Sequence, residues 1–151
     1  SPYTSGVISG LRLTSTRGDI LQGIIESVIM DLKITVDLLK KNHYELSEYT
    51  AVGGGSKSDV WLQICADILA CPINRPFVTE AGVLGSAIIA GIGSEIFPNF
   101  RNAISNMVRI REGFFPIKTN LEIYQKRYAK FKQLRKELQE FLKDLSRKTN
   151  S

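Results

Sequence analysis

The stretch that decides the fold reads Val52-Gly53-Gly54-Gly55-Ser56-Lys57-Ser58-Asp59. Before it, residues 48–52 carry the branched and aromatic side chains typical of a short strand. After it, apolar residues recur at helical spacing, namely Val60, Trp61, Ile64, Ile68 and Leu69. The glycines allow a positive φ and leave main-chain N–H groups unobstructed. Ser56 or Ser58 can cap the helix that follows, whose positive end favours an anion. The pattern predicts a nucleotide-binding corner.

The same stretch has a purely conformational interpretation. Strand-to-helix turns use Gly and Ser for their backbone freedom alone. Lys57 lies in the wrong place for a GxxxxGK[ST] loop, and there is no GxGxxG fingerprint. From spacing alone, both interpretations stay open.

Length and composition are typical of one soluble globular domain. The chain has 151 residues, of which 43% are hydrophobic and 23% charged. No apolar run is long enough to span a bilayer, and no signal-peptide pattern opens the chain. Cys65 and Cys71 show no metal-ligand pattern, which favours reduced thiols in a cytoplasmic protein.

The positive charge of the chain is concentrated at one end. The net charge is +5, and residues 121–151 hold nine Lys or Arg and four acidic residues. Residues 1–120 are balanced at eleven of each sign. The excess therefore belongs to one predicted helix, whose solvated face explains it. A basic nucleic-acid module is disfavoured because no motif that reads RNA or DNA accompanies the charge.

The first third of the chain predicts a strand and a long helix. Val7–Leu13 favours a strand, and the polar run 14–16 supplies N-cap candidates. A wide apolar surface predicts a helix over 17–41. Glu26 lies within that surface, so we expect it to have a hydrogen-bond partner or a cation such as Arg17.

Further elements follow the glycine stretch. In order they are an extended segment at 73–76, a helix rich in small residues at 80–93, a short helix at 100–107, an extended segment at 108–115 and a final long helix capped by Thr119 or Asn120. The final helix has one apolar seam: Leu121, Tyr124, Tyr128, Phe131, Leu134, Leu138, Phe141, Leu142 and Leu145. This seam can dock against its own domain, or its far end can pack on a partner domain.

The order of these motifs resembles that of the FGGY carbohydrate kinases. Residues 53–69 resemble the family's adenosine motif, and residues 79–87 are similar to its EAxxLGAA helix. Gly10-Leu11, Thr16-Arg17 and Ile24-Ile25-Glu26 resemble its GLT…TR…LLEG segment, although Asp19 stands where the family often has His. The resemblance covers nearly the whole chain.

The resemblance implies a partial, helix-rich α/β domain of the actin-like ATPase (ribonuclease H-like) fold with a few strands. Residues 1–151 would form the C-terminal portion of the second domain, with the N-terminal domain and the start of this domain absent. By position, Gly54, Gly55 and Ser58 would contact the adenine, ribose and α-phosphate region of ATP. The full enzyme would use ATP and Mg²⁺ to phosphorylate a sugar or polyol hydroxyl. No catalytic or metal-binding residue is assigned in this chain, because the family's aspartate base lies upstream.

Two expectations concern partners and an alternative role. Missing strands would leave a free sheet edge and an exposed apolar face, which predicts a homo-oligomer. No nucleic-acid or membrane partner is expected. The alternative function is a non-catalytic actin-like regulatory or assembly domain, in which the corner binds nucleotide weakly or not at all.

Overall fold

A computed structural model describes residues 6–44 and 46–148, with side chains described as far as residue 138. Within these residues the chain forms helices α1–α5 and strands β1–β3. In chain order they are α1 (Arg17–Lys41), β1 (Tyr49–Thr50), α2 (Asp59–Leu69), β2 (Ile73–Pro76), α3 (Ala81–Gly93), α4 (Phe100–Met107), β3 (Ile110–Phe114) and α5 (Lys118–Lys148). No helix in this part of the chain has both the length and the apolar character needed to cross a membrane.

The three strands form one small mixed sheet in the order β1-β2-β3. β1 and β2 run parallel and are joined through α2, whereas β3 pairs antiparallel to β2. The register places Arg75 opposite Glu112 and shifts at Pro76, whose nitrogen cannot donate to the ladder. The predicted helix-rich α/β class with a few strands is confirmed.

One face of the sheet carries the hydrophobic core. The residues of this core come from α1, α2, β2 and α5, and include Ile29, Met30, Val36, Leu62, Ile68, Leu69, Ile73, Tyr124 and Tyr128. The final helix therefore docks against its own domain through Tyr124 and Tyr128, which are buried. Phe141, Leu142 and Leu145 lie outside the residues whose side chains are described.

The other face of the sheet looks toward α3. Thr50 and Val52, which alternate with the core-facing Tyr49 and Ala51, line an open apolar hollow of about 230 Å³ beside α3. α3 packs in turn on α4. This arrangement brings the start of α3 to the same edge of the sheet as the glycine stretch.

The predicted limits of α1 are confirmed, and so is the expectation that Glu26 has a cationic partner, although the example given, Arg17, is not that partner. Thr16 and Asp19 form a reciprocal capping box at the start of the helix. Glu26 is buried, and both of its oxygens accept from Arg127 Nη1, at 2.7 and 2.8 Å. The cation is therefore Arg127, one hundred and one positions along the chain, rather than Arg17.

Val7–Leu13, which lies within the described residues, forms no strand. A strand needs a neighbour for its backbone N–H and C=O groups, and the β1-β2-β3 sheet offers none to this segment. Residues 7–11 instead line a hollow of about 340 Å³ with α1 and with Phe131 of α5.

The predicted cap of α5 is also wrong. The helix begins at Lys118, so Thr119 and Asn120 lie inside its first turn. Asp67 of α2 holds this start, because it accepts from the Ile117 N–H at 2.8 Å and from Asn120 Nδ2 at 2.7 Å. A tertiary contact replaces the local cap.

Candidate functional site

The glycine turn, defined here as residues 53–58, joins β1 to α2. Gly53 has φ +81° and ψ −167°, a conformation open to essentially only glycine. Its N–H donates to the Thr79 carbonyl at 2.8 Å, which holds the turn beside the start of α3. Gly54–Lys57 then forms one turn of 3₁₀-helix. One glycine with a special conformation and one long-range hydrogen bond therefore contribute to the shape of the turn.

The two serines of the turn have different roles. Ser56 is buried, and its hydroxyl donates to the Gly53 carbonyl at 2.6 Å. Ser58 is exposed and is the N-cap of α2, where its Oγ accepts from the Trp61 N–H at 3.3 Å. Of the two predicted caps, Ser58 is therefore the one that caps α2, while the Ser56 hydroxyl forms a hydrogen bond within the turn.

Space beside the glycines differs from one position to the next. Apart from its two chain neighbours, no heavy atom of the described residues lies within 4 Å of a Cβ at Gly54, and Gly54 has no positive φ. A Cβ built on Gly55 would lie 3.3 Å from Trp61 Nε1, so Gly55 is constrained by packing against that ring. Contacts and backbone conformation within the described chain therefore do not by themselves demand glycine at position 54.

Sequence reasoning missed the residue that supports the turn from below. Arg75 of β2 is 6% exposed, and its guanidinium donates to the Ser56 carbonyl at 3.1 Å. It also donates to Asp59 at 2.8 Å and to Glu112, and it lies over the Phe114 ring. The hydrogen bonds to Glu112 and Asp59 raise the pKa of Arg75. In the sequence Arg75 is one charged residue in the predicted extended segment 73–76, which by itself does not indicate these contacts.

An ion pair crosses the rim of the site. Lys57 Nζ lies 3.1 Å from Glu80, and both side chains are mostly exposed. Such a pair adds little stability in water. However, it connects the glycine turn to the residue before α3, so the N-termini of α2 and α3 lie at one rim. Helix N-termini carry partial positive charge and favour anions.

The deciding comparison is with the sequence model of the FGGY family of carbohydrate kinases, C-terminal domain. It matches residues 1–94, more than half of the chain, and that span contains the glycine turn and α3. The chain belongs to the FGGY family of carbohydrate kinases. The resemblance drawn from the motifs is confirmed.

Individual relatives agree with the FGGY assignment. An uncharacterized sugar kinase of Escherichia coli is 34% identical over 125 residues, which cover 82% of this chain and 25% of that protein. A xylulose kinase of Staphylococcus epidermidis is 28% identical over 145 residues, or 96% of this chain and 29% of its own length. The chain thus spans between a quarter and three tenths of the length of these relatives.

Solved structures support the fold of this FGGY chain. The xylulose kinase of Rhodospirillum rubrum superposes with a TM-score of 0.78 at 28% identity, covering 93% of this chain and 29% of that one. The actin-like fold class that the resemblance implied is therefore confirmed.

The structure brings the three predicted contact residues together. Gly54, Gly55 and Ser58 lie within five consecutive positions of the glycine turn, and all three are exposed. Their contact with a nucleotide is taken up below as a proposal. Within the described part of the chain, no three or more His, Cys, Asp or Glu side chains are grouped so that they could hold a metal ion.

Proposed function

We propose that this chain is the nucleotide-binding, C-terminal portion of an ATP-dependent carbohydrate kinase that phosphorylates a sugar or polyol hydroxyl. The relatives described above are named as kinases and are three to four times longer than this chain. We accordingly assign residues 1–151 to the end of the second domain. The observation that carries the proposal is the glycine turn, with open space at Gly54 and two helix N-termini at its rim.

In the proposed binding mode, adenosine lies against Gly54 and Gly55. The exposed main chain there lets a flat ring or a ribose approach closely, because no side chain projects from either residue. Ser58 accepts a hydrogen bond through its oxygen when it caps α2, so its hydroxyl proton remains available to a phosphate oxygen. Lys57 lies at the same rim, where its ammonium is paired with Glu80 and would be within reach of a bound phosphate if that pair opened. These residues bind and orient the nucleotide.

Catalysis is proposed to depend on parts of the longer protein. Mg²⁺, when bound with ATP, neutralises charge on the phosphates and is held mainly through them and a few carboxylates. No residue of this chain is assigned as its ligand or as the base. General-base chemistry needs a titratable group at hydrogen-bonding distance from the sugar hydroxyl, and we place that group in the upstream domain.

The proposal is tested on the complete protein that contains this chain. Calorimetry with a non-hydrolysable ATP analogue measures binding, and ADP release is assayed with xylulose, glycerol and gluconate as candidate acceptors. We expect analogue binding and turnover with at least one sugar or polyol, and no turnover by the isolated 151-residue chain. A complete protein that binds no nucleotide would leave only the regulatory or assembly role. Turnover by the purified fragment would overturn the placement of the base.

We also propose a cytoplasmic location and self-association of the isolated chain. One side of α1 leaves large apolar side chains about half exposed, including Leu21, Ile24, Val28 and Leu32. An apolar surface of this kind is typical of an interaction face. We expect it to be covered by upstream residues in the complete protein and by a second copy in the isolated chain. A monodisperse monomer in light scattering would contradict the second expectation.

A further inference from the structure

The guanidinium of Arg75 joins three parts of the chain beneath the glycine turn. Nη1 donates to the Ser56 carbonyl at 3.1 Å, inside the turn itself. Nη2 donates at 2.8 Å to Oδ1 of Asp59, which is the first residue of α2. Nε donates to Glu112 Oε1 at 2.9 Å, on the opposing strand β3. One planar group therefore ties the turn and the helix start to the sheet.

The burial of these groups shows that the arrangement is more than a surface ion pair. The Arg75 side chain is 8% exposed, whereas the side chains of Asp59 and Glu112 are 74% and 39% exposed. Without Arg75, water could hydrate the two carboxylates. The Ser56 carbonyl differs, because its contact with Arg75 is buried. Ser56 is itself 2% exposed. Removing the guanidinium would leave that carbonyl without this donor, at a buried position.

The geometry of arginine matters because its donors point in fixed directions. A guanidinium presents its N–H groups in a rigid plane, whereas a lysine ammonium is a single point charge on a flexible stem. The contacts to Ser56, Asp59 and Glu112 use three different directions of that plane. Packing over Phe114, at 5.1 Å from the ring centroid, fixes the plane further. Lysine could keep the charge but could not satisfy all three partners together.

We propose that Arg75 is a positioning residue for nucleotide binding, which holds the glycine turn in its binding conformation without touching the ligand. This inference rests on the proposed function, because it takes the turn as the nucleotide site. The turn is also held by hydrogen bonds within it, from the Ser56 hydroxyl and from the Ser56 and Ser58 N–H groups, and by the Gly53 N–H bond to Thr79. Arg75 supplies the contact that fixes the position of the turn relative to the sheet.

The test compares Arg75→Met and Arg75→Lys with the control Arg127→Met in the complete protein. Arg127 also pairs with a buried carboxylate, Glu26, but it joins α5 to α1 rather than supporting the turn. We expect both Arg75 variants to weaken binding of a non-hydrolysable ATP analogue by at least about tenfold. The control is expected to lose thermal stability while its analogue affinity stays within about twofold of wild type.

Amide hydrogen exchange provides a readout that does not depend on nucleotide. The Ser56 and Ser58 N–H groups donate inside the turn, to the carbonyls of Gly53 and Gly55. We expect faster exchange of residues 53–58 in both Arg75 variants and unchanged exchange there in Arg127→Met. If Arg75→Met does not fold, Glu112→Gln replaces it, because this change loosens Arg75 while retaining the side chain. That variant is expected to show faster exchange in the turn and weaker analogue binding.

The outcomes separate this inference from the proposed function. If the wild-type protein binds no ATP analogue, the proposed function fails and the inference falls with it. If wild type binds and the Arg75 variants bind equally well, only the positioning role is overturned, whatever happens to hydrogen exchange. Full rescue of affinity by Arg75→Lys would also overturn it, since a point charge would then be sufficient.

Discussion

Replacing Gly54 by Val in the complete protein is expected to raise the Michaelis constant for ATP by at least about tenfold, or roughly 1.4 kcal/mol of binding. The structure indicates that this substitution would alter the proposed nucleotide site with little effect on the fold. Beyond its two chain neighbours, a Cβ at Gly54 meets no heavy atom within 4 Å in the described part of the chain, and the residue has no positive φ. The substitution is therefore expected to leave folding stability within about 0.5 kcal/mol of wild type.

The magnitude follows from the space that the new side chain would take. Three added carbon atoms on an otherwise open turn would hold an adenosine group away from the main chain. Losing on the order of ten atom-pair contacts, at about 0.1–0.2 kcal/mol each, costs about 1–2 kcal/mol. The Michaelis constant for the sugar is expected to change much less, because its contacts are proposed to lie upstream.

The assay is steady-state phosphorylation with ATP varied at saturating sugar, together with thermal unfolding of each variant. Gly53→Ala is the matched control, because its φ of +81° and ψ of −167° disfavour any side chain. That control is expected to lose about 1–3 kcal/mol of stability, whereas Gly54→Val is expected to keep its melting temperature. A folded Gly54→Val enzyme with unchanged ATP dependence would refute the reasoning and would assign the glycines to the turn alone.

Four further predictions concern stability and reactivity. Burial raises the pKa of the Cys65 thiol to about 11, so iodoacetamide at pH 8 is expected to label this residue only after unfolding. Burial, and then the nearby Glu26 charge, raise the pKa of Tyr124 to about 12. Because the unfolded chain releases this proton near pH 10, the free energy of unfolding is expected to fall between about pH 10 and 12, with a smaller slope in Tyr124→Phe. Asp67→Ala removes the acceptor of the Ile117 N–H and is expected to cost on the order of 1–3 kcal/mol in urea unfolding. Ala70 ends α2 with φ 54° and ψ 43°, so Ala70→Gly is expected to raise stability by about 1 kcal/mol in the same measurement.

Local patterns predicted the elements whose formation depends on local physics. The limits of α1 and α4 were predicted correctly, and both helices start through local physics, because the side chains of Thr16 and Asn99 each accept a backbone N–H of the first turn. The segment Val7–Leu13 was predicted wrongly because branched residues favour an extended backbone, but pairing requires a neighbouring strand. Strand formation is decided by the rest of the molecule, which the local pattern does not contain.

In the candidate site, too, local features could be predicted from the sequence, whereas features that depend on distant segments could not. The glycine turn and a serine cap could be predicted from order and spacing, since both are properties of consecutive residues, but the choice between Ser56 and Ser58 could not. Arg75 could not, because its role depends on the pairing of β2 with β3 and on the position of Ser56 nineteen residues earlier. The partner of Glu26 was missed for the same reason. Contacts between distant segments follow from topology, which single-chain patterns do not fix.

The contact between α1 and α5 also has a consequence during synthesis on the ribosome. Glu26 leaves the ribosome well before Arg127, and the two are one hundred and one positions apart. At ordinary translation rates of about 5–20 residues per second, Arg127 is synthesised roughly 5–20 s after Glu26, so the carboxylate lacks its cationic partner during that time. An unpaired charge is costly to bury, so the face of α1 around Glu26 is expected to stay hydrated for that time. The core of this chain is therefore completed only when α5 has been synthesised.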